Sequence, residues 1–336
     1  MSRFIDGFLY DLCALRVKNE RLEKIKMQVV EQIEKIDHPY KNAVITIGNF
    51  DGVHIGHQAL FQKVIEKAKE LDGTSVAMTF EPHPIRVLKQ NNHPPLITLY
   101  EQKAELIAKT GIDILICIPF TREFASIPAK EFIEEILVDR IGMKAIVVGE
   151  DYAFGKNREG NLDLLKTYGK QIGFEVIVVS ELQISNNSED KISSTRIREL
   201  ISEGKVAESQ KLLGRHYQIR GTVMTGRDRG GRLLGFPTAN IKLYDELSPK
   251  TGVYAVIVEC KGSKYKGVAN IGYSPTFDDH IFTVEAHILD FNDDIYGQKI
   301  RVNFIKRLRD EKKFLNISEL SDQIKKDIDK ARDILS

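Results

Sequence analysis

The chain has 336 residues, with 49 Lys and Arg against 48 Asp and Glu, 42% hydrophobic residues and no Trp; at roughly 150 residues per domain this suggests two domains with cores of ordinary size. A net charge of +1 supplies no electrostatic footprint for nucleic acid or an acidic membrane surface, and no apolar run approaches the roughly 20 residues of a membrane span. The three scattered cysteines, Cys13, Cys117 and Cys260, lack zinc spacing and are odd in number, so no disulfide framework and a reducing, cytoplasmic setting are expected.

The opening 26 residues carry an apolar stretch from Phe4 to Val17 that Asp6 and Asp11 interrupt. They lack the basic start and small-residue cleavage site of a secretory signal. Two readings fit: a short extra helix, or conceptual translation of upstream DNA ahead of a start at Met27. The second is favoured, because Arg-Leu-Glu-Lys-Ile-Lys before Met27 can be encoded by a purine-rich ribosome-binding sequence. From Ala43 to about Val179, AVITIG (43–48), TSVAMTF (74–80), ILICIP (114–119), AIVVG (145–149) and EVIVV (175–179) read as buried strands. Helical patterns lie between them at about 57–71, 99–110, 129–141 and 162–172. Buried β-branched runs separated by helices imply an α/β domain, a parallel sheet with helices on both faces.

Two more helical patterns follow at about 194–203 and 206–213, and near Gly214 the rhythm changes. YQIRGTVM, VYAVIVE, KGVANIG, FTVEAHIL and KIRVNFI, punctuated by Gly and Pro between Tyr217 and Ile305, indicate an antiparallel all-β domain, a small barrel. Leu320, Ile324, Ile328 and Ile334 give the closing stretch a helical period, with Ser318 as its expected N-cap. The expected domains are 27–213 and 214–336.

The first chemical pattern is GNFDGVHIGHQAL (48–60), after a buried strand and at the start of a helix. Gly48, Gly52 and Gly56 permit a tight turn and close approach to a ligand. His54 and His57, three apart, should share one face at a helix N-terminus, whose N–H groups and dipole suit phosphate. Later, ISSTRIR (192–198) places Arg196 and Arg198 in a first helical turn capped by Ser193 or Ser194. Cations are disfavoured there unless an anion is bound. Two further loops, Phe80-Glu81-Pro82-His83-Pro84 and Gly149–Arg158, set aromatics at strand ends, where open α/β sheets bind ligands. A flat aromatic ligand beside a nucleotide is expected.

The second pattern, TGRDRGGRLLGFPTANI (225–241), has Gly226, Gly230, Gly231 and Gly235 among three arginines. Its backbone can wrap phosphates, while Thr238 and Asn240 offer oxygens to a hard cation such as Mg²⁺. It lacks the Gly-Lys-Ser/Thr of a P-loop. In FTVEAHIL, Phe282, Val284, Ala286 and Ile288 share one face and Glu285 and His287 the other. A strand carboxylate near such a loop can accept a proton from an attacking hydroxyl.

His54-Ile55-Gly56-His57 resembles the HIGH sequence of class I aminoacyl-tRNA synthetases and related nucleotidyltransferases, although no KMSKS-type lysine loop is found. GNFDGVHIGHQ, TFEPHP, GEDYAFGKNREG, SSTRIR, GFPTAN and VEAHILDF together, in order over residues 27–336, resemble the bacterial bifunctional riboflavin kinase/FMN adenylyltransferases, also called FAD synthetases. The resemblance implies an N-terminal Rossmann-like adenylyltransferase domain and a C-terminal six-stranded antiparallel barrel with a terminal helix, the kinase. It implies phosphorylation of riboflavin by ATP to FMN, then adenylylation of FMN to FAD with release of pyrophosphate. Carried over by motif, His54 and His57 would stabilise the ATP phosphates with Gly48, Asn49 and Asp51; Ser194, Thr195 and Arg198 would hold the phosphates from the other side. Phe80, Pro82 and Pro84 would form the flavin pocket. The Gly149–Phe154 loop would touch nucleotide or flavin, with Asp151 standing where some relatives carry Asn. In the kinase, Thr238 and Asn240 would bind Mg²⁺ and ATP phosphates, with Gly226 and Gly235 at the phosphates. Glu285 would activate the ribityl 5′-hydroxyl, and Arg301 and Arg307 would meet the flavin end. The rival expectation is an FMN adenylyltransferase alone, carrying a non-catalytic flavin- or RNA-binding barrel. The partners expected are riboflavin, FMN and ATP, with no nucleic acid and no membrane.

Overall fold

A computed structural model describes residues 27–89, 93–180, 192–224, 236–243, 246–273 and 282–336. The opening 26 residues, Gly226, Gly235 and the three loop arginines lie outside the described residues. Packing divides the chain into two compact units: one within Met1–Pro94 and Tyr100–Gln183, the other within Pro95–Leu99 and Ile184–Ser336.

In the first unit six strands, β1 (Gln28–Val30), β2 (Ala43–Ile47), β3 (Ser75–Glu81), β4 (Ile114–Pro119), β5 (Met143–Gly149) and β6 (Glu175–Val179), form one parallel sheet in the order β1-β4-β3-β2-β5-β6. Every residue of β2 is buried, which is why its run is apolar but for Thr46. Helix α1 (Ile55–Glu70) follows β2, α2 (Pro84–Leu88) follows β3, and α3 (Tyr100–Ala108) precedes β4. Helix α4 starts at Ala129–Glu131 and winds on through Phe132–Arg140; α5 starts at Leu162–Tyr168 and winds on through Gly169–Gly173. Phe61 and Val64 of α1 and Ile107 of α3 pack on one face, against Val44, Ala77 and Leu115. Phe132 and Leu137 of α4 and Leu165 of α5 cover the other, against Ile45, Met78 and Ile146. Successive strand residues thus alternate between two helical layers, both apolar. Strand β2 has β3 on one side and β5 on the other, so the loop at its carboxyl end opens at the topological switch point.

The second unit contains α6 (Ser194–Ser202), α7 (Val206–Leu213) and strands β7 (Tyr217–Met224), β8 (Ala239–Lys242), β9 (Gly252–Cys260), β10 (Ser263–Tyr273), β11 (Phe282–Ile288) and β12 (Lys299–Arg309), then helix α8 (Ile317–Ile334). The strands close as an antiparallel barrel in the order β10-β11-β8-β7-β12-β9. Ile241, Val256, Ile271, Val284, Val302 and Phe304 belong to its core. Helix α8 sets Ala331 against Val253, Ala255 and Leu308, and its buried Asp327 receives Nε of Arg309 at 3.0 Å and Nη2 at 2.7 Å.

Four details depart from the sequence reading. Strand β1 was not anticipated, being three residues long. Strand β8 begins inside the Pro-Thr-Ala-Asn stretch expected to be loop. Helix α8 is capped by Asn316, not Ser318: the Asn316 side chain accepts from the Glu319 N–H at 2.9 Å, and the Glu319 carboxylate reaches back to accept from the Leu315 N–H at 3.3 Å. Helices α6 and α7 pack with the barrel, through Leu200, Ile201 and Leu213 beside Tyr217, so the change of rhythm near Gly214 is not the break in packing.

Candidate active sites

The apolar run of β2 stops at Ile47 and the chain turns through residues 48–53 into α1. A Cβ on Gly48 would lie 2.8 Å from the Phe50 ring. Gly52 has φ +85°, and Phe50 and Val53 are held at +48° and +41°, a left-handed region that costs a bulky or β-branched residue about 1–3 kcal/mol. Packing enforces it: Phe50 is 2% and Val53 1% exposed, and the Phe50 ring meets Phe61 at 4.7 Å and His57 at 5.3 Å. His54 is the N-cap of α1, its Nδ1 accepting from the His57 N–H at 3.3 Å. That bond places the proton of the neutral ring on Nε2. The two imidazoles stack with centroids 3.5 Å apart and planes 19° apart. One turn therefore brings Gly48, Asn49, buried Asp51, His54 and His57 together at the positive end of a 16-residue helix.

Sequence reasoning missed what lies beneath this turn. The Asn49 carbonyl accepts from Thr79 Oγ1 at 3.2 Å and from Lys103 Nζ at 3.3 Å, and Lys103 Nζ also donates to the Phe80 carbonyl at 3.4 Å. Lys103 is 4% exposed. In the amphipathic pattern of α3 it reads as one more surface lysine.

Phe80, at the end of β3, begins a line of aromatic contacts. It meets Phe120 at 5.5 Å and Phe124 at 5.9 Å; Phe124 meets Phe132 at 6.1 Å, and Phe132 meets Phe154 at 5.9 Å. Tyr152 stacks on Phe154 at 5.4 Å. The wall thus reaches from β3 to the loop after β5. The Tyr152 hydroxyl is buried without a hydrogen-bond partner among the described residues, and burial pushes its phenol above the ordinary range. Pro82 precedes His83, which caps α2 by accepting from the Ile85 N–H at 3.2 Å; Pro84 is the first helical residue. Asp151 is exposed.

In the second unit, Ser193 caps α6, accepting from the Arg196 N–H at 3.2 Å, which decides between the two serines. Ser194 and Thr195 occupy the first turn. Arg196 pairs with Glu199 at 3.1 Å, and Arg198 Nε donates to the Pro95 carbonyl at 3.0 Å. On the barrel, Glu285 of β11 stands directly opposite Asn240 of β8 on one side and Asn270 of β10 on the other. Its neighbours Val284 and Ala286 are buried in the core, so the three polar residues share the other face. Burial raises the Glu285 carboxyl above its ordinary range, which favours a proton acceptor. The Asn240 amide donates to the Thr238 carbonyl at 3.4 Å, and the His287 ring contacts the Pro237 carbonyl at 2.8 Å. The Thr238 hydroxyl and Asn240 amide oxygen are hard oxygen donors, which fit Mg²⁺ shared with substrate phosphates. Asn270 was missed; inside KGVANIG it reads as an ordinary strand position. Arg301 lies 3.9 Å from Glu259. Arg307 donates to the Thr251 carbonyl at 2.6 Å and to Asp310 at 2.7 Å.

A family model described as FAD synthetase matches residues 36–196, and one described as riboflavin kinase matches residues 213–335. A bifunctional riboflavin kinase/FMN adenylyltransferase of Buchnera aphidicola subsp. Schizaphis graminum is 39% identical, covering 90% of this chain and 97% of its own. The protein of the same name from Escherichia coli K12 is 38% identical, covering 90% and 96%. A crystal structure from Streptococcus pneumoniae, titled a macrolide-efflux protein, superposes with TM-score 0.81 at 36% identity, covering 92% of this chain and 99% of that one. Among the described residues no helix here is long and apolar enough to cross a membrane.

Proposed function

We infer that this chain, which belongs to the bifunctional riboflavin kinase/FMN adenylyltransferase family, makes both flavin cofactors from riboflavin and ATP. The single observation that carries the reading is the presence of both family-model matches in one chain, in the order adenylyltransferase then kinase. The same matches support residues 27–213 as the adenylyltransferase domain and 214–336 as the kinase domain. The riboflavin kinase match sets aside the rival of an adenylyltransferase carrying an inert barrel.

In the kinase reaction the riboflavin 5′-hydroxyl oxygen forms a bond to the γ-phosphorus of ATP, the bond to the β-bridging oxygen breaks, and ADP leaves. Glu285 takes the hydroxyl proton; its half-buried carboxyl and its place between Asn240 and Asn270 support that role. Thr238 and Asn240 would hold Mg²⁺, which when bound neutralises phosphate charge. Gly226 and Gly235 are assigned to the phosphates by motif. Arg301 and Arg307 are assigned to the flavin end; Arg307 would have to exchange its Asp310 contact to reach it.

In the adenylyl transfer an FMN phosphate oxygen attacks the α-phosphorus of ATP and pyrophosphate leaves. His54 and His57 donate to the triphosphate as charge builds on the leaving group, with Gly48, Asn49 and Asp51 shaping the turn. Ser194, Thr195 and Arg198 are assigned to ATP by their motif. The aromatic wall beginning at Phe80, with Pro82, Pro84 and the Asp151–Tyr152 loop, is suited to the flat flavin, and the unpartnered Tyr152 hydroxyl supplies a polar contact inside it. Cytoplasmic residence follows the same reading; Cys117 and Cys260 are free and buried.

The test is incubation of the purified chain with riboflavin, ATP and Mg²⁺, followed by chromatographic separation of flavins. FMN should appear first and FAD accumulate after it. Riboflavin left unchanged while added FMN becomes FAD would restore the single-activity rival.

A further inference from the structure

We propose that Lys103 is a positioning residue for adenylyl transfer: its buried ammonium ties the carboxyl ends of β2 and β3 together and holds the histidine turn against the aromatic wall. The proposal rests on the assignment of His54 and His57 to the triphosphate.

An ammonium is costly to bury unless it is paired and hydrogen-bonded. Lys103 is 4% exposed on the face of α3 that also buries Ile107, four residues on. Its two backbone acceptors come from different strands: the carbonyl of Asn49 in the β2 turn at 3.3 Å and that of Phe80 at the end of β3 at 3.4 Å. The charged and titratable groups acting on it are Glu81 of β3, Asp51 of the turn and Cys117 of β4. Tyr100, one turn back on α3, bonds to Cys117. A lysine serving packing alone would be replaced by a long apolar side chain at little cost. Placed here, its donors reach the two segments that must stay in register, one carrying His54 and His57 and the other the start of the aromatic wall.

The turn it braces already holds Phe50 and Val53 at positive φ. Without the brace the turn can relax, and the histidines lose the geometry that matters in the transition state. Substrate binding should suffer less than turnover. Burial lowers the Lys103 pKa, with Glu81 opposing. The Cys117 thiol is pushed up to about 12 and Tyr100 higher still. Of Lys103, Cys117 and Tyr100, Lys103 is therefore the one that loses its proton first as pH rises.

The experiment uses the full chain with Lys103→Met and Lys103→Arg, measuring FMN-to-FAD kcat and KM between pH 7 and 10, with riboflavin phosphorylation as an internal control. Lys103→Met should lower kcat by about 30-fold or more while KM for ATP moves less than about threefold, leaving riboflavin phosphorylation intact. Lys103→Arg should recover most of kcat at pH 7 and shift the alkaline decline of the parent to higher pH, since guanidinium keeps its proton. A Met variant with near-parental kcat overturns the proposal. So does an Arg variant that fails as badly as Met in folded protein, or one that keeps the parental alkaline limb. If Lys103→Met does not fold, the pH profile of Lys103→Arg decides alone. If His57→Ala leaves FAD formation intact, the histidine assignment fails first, and that outcome is separate from anything Lys103 does.

Discussion

The two halves of this chain build their chemistry on different parts of the backbone. In the parallel sheet the candidate groups gather at or beyond the carboxyl ends of the strands: His54 and His57 after β2, Phe80 near the end of β3's ladder, Tyr152 and Phe154 after β5. In the barrel, Asn240, Glu285 and Asn270 lie within the ladder, on adjacent strands in direct register. A ladder fixes its residues by backbone hydrogen bonds, so the barrel site needs little bracing. A loop site must be held by other means, and the first unit supplies them through the buried Phe50, the capping His54 and the clamp of Lys103. Precision comes with the scaffold in one half and from dedicated side chains in the other.

The largest effect should separate the halves outright. Glu285→Gln should cut riboflavin phosphorylation by about 10²–10⁴-fold while FMN-to-FAD conversion stays at the parental rate, both read by flavin chromatography. His57→Ala should do the converse, lowering FAD formation by about 10²-fold with FMN formation unchanged. Loss of both activities in either folded variant would break the division. Asp327→Asn removes the buried charge partner of half-buried Arg309 and should destabilise the barrel by about 3 kcal/mol, measured by denaturant unfolding, while the sheet keeps its own transition. Phe80→Ala should raise KM for FMN about tenfold, the equivalent of roughly 1–2 kcal/mol of aromatic contact, without altering riboflavin phosphorylation. An unchanged KM would remove Phe80 from the flavin wall.

Most of this architecture was legible in residue order because burial imposes it. ILICI is apolar at every position, and AVITI at all but Thr46, since both faces of the sheet are covered, and the later alternation exposes the barrel. The histidine turn was legible because glycines and a helix start surround it. What escaped depends on contacts between segments far apart in the chain. Lys103 resembles a solvent-facing helix residue until β2 and β3 end above it. Asn270 is an unremarkable polar strand residue until β11 places Glu285 beside it. Strand β8 is four residues long, and Pro237 at its approach imitates a turn. Asn316 and Ser318 are both good caps, and only the reach of Glu319 separates them.

One feature of the barrel bears on how the protein is made. Strand β12 pairs with β7 on one side and β9 on the other, so the last strand synthesised closes the cylinder. Until Lys299–Arg309 has left the ribosome, β7 and β9 each present an open edge that another nascent chain can pair with. The sheet of the first unit has all its strands in hand by Val179. During translation, then, the adenylyltransferase half can complete its fold early, while the kinase half stays exposed to misassembly until β12 has emerged.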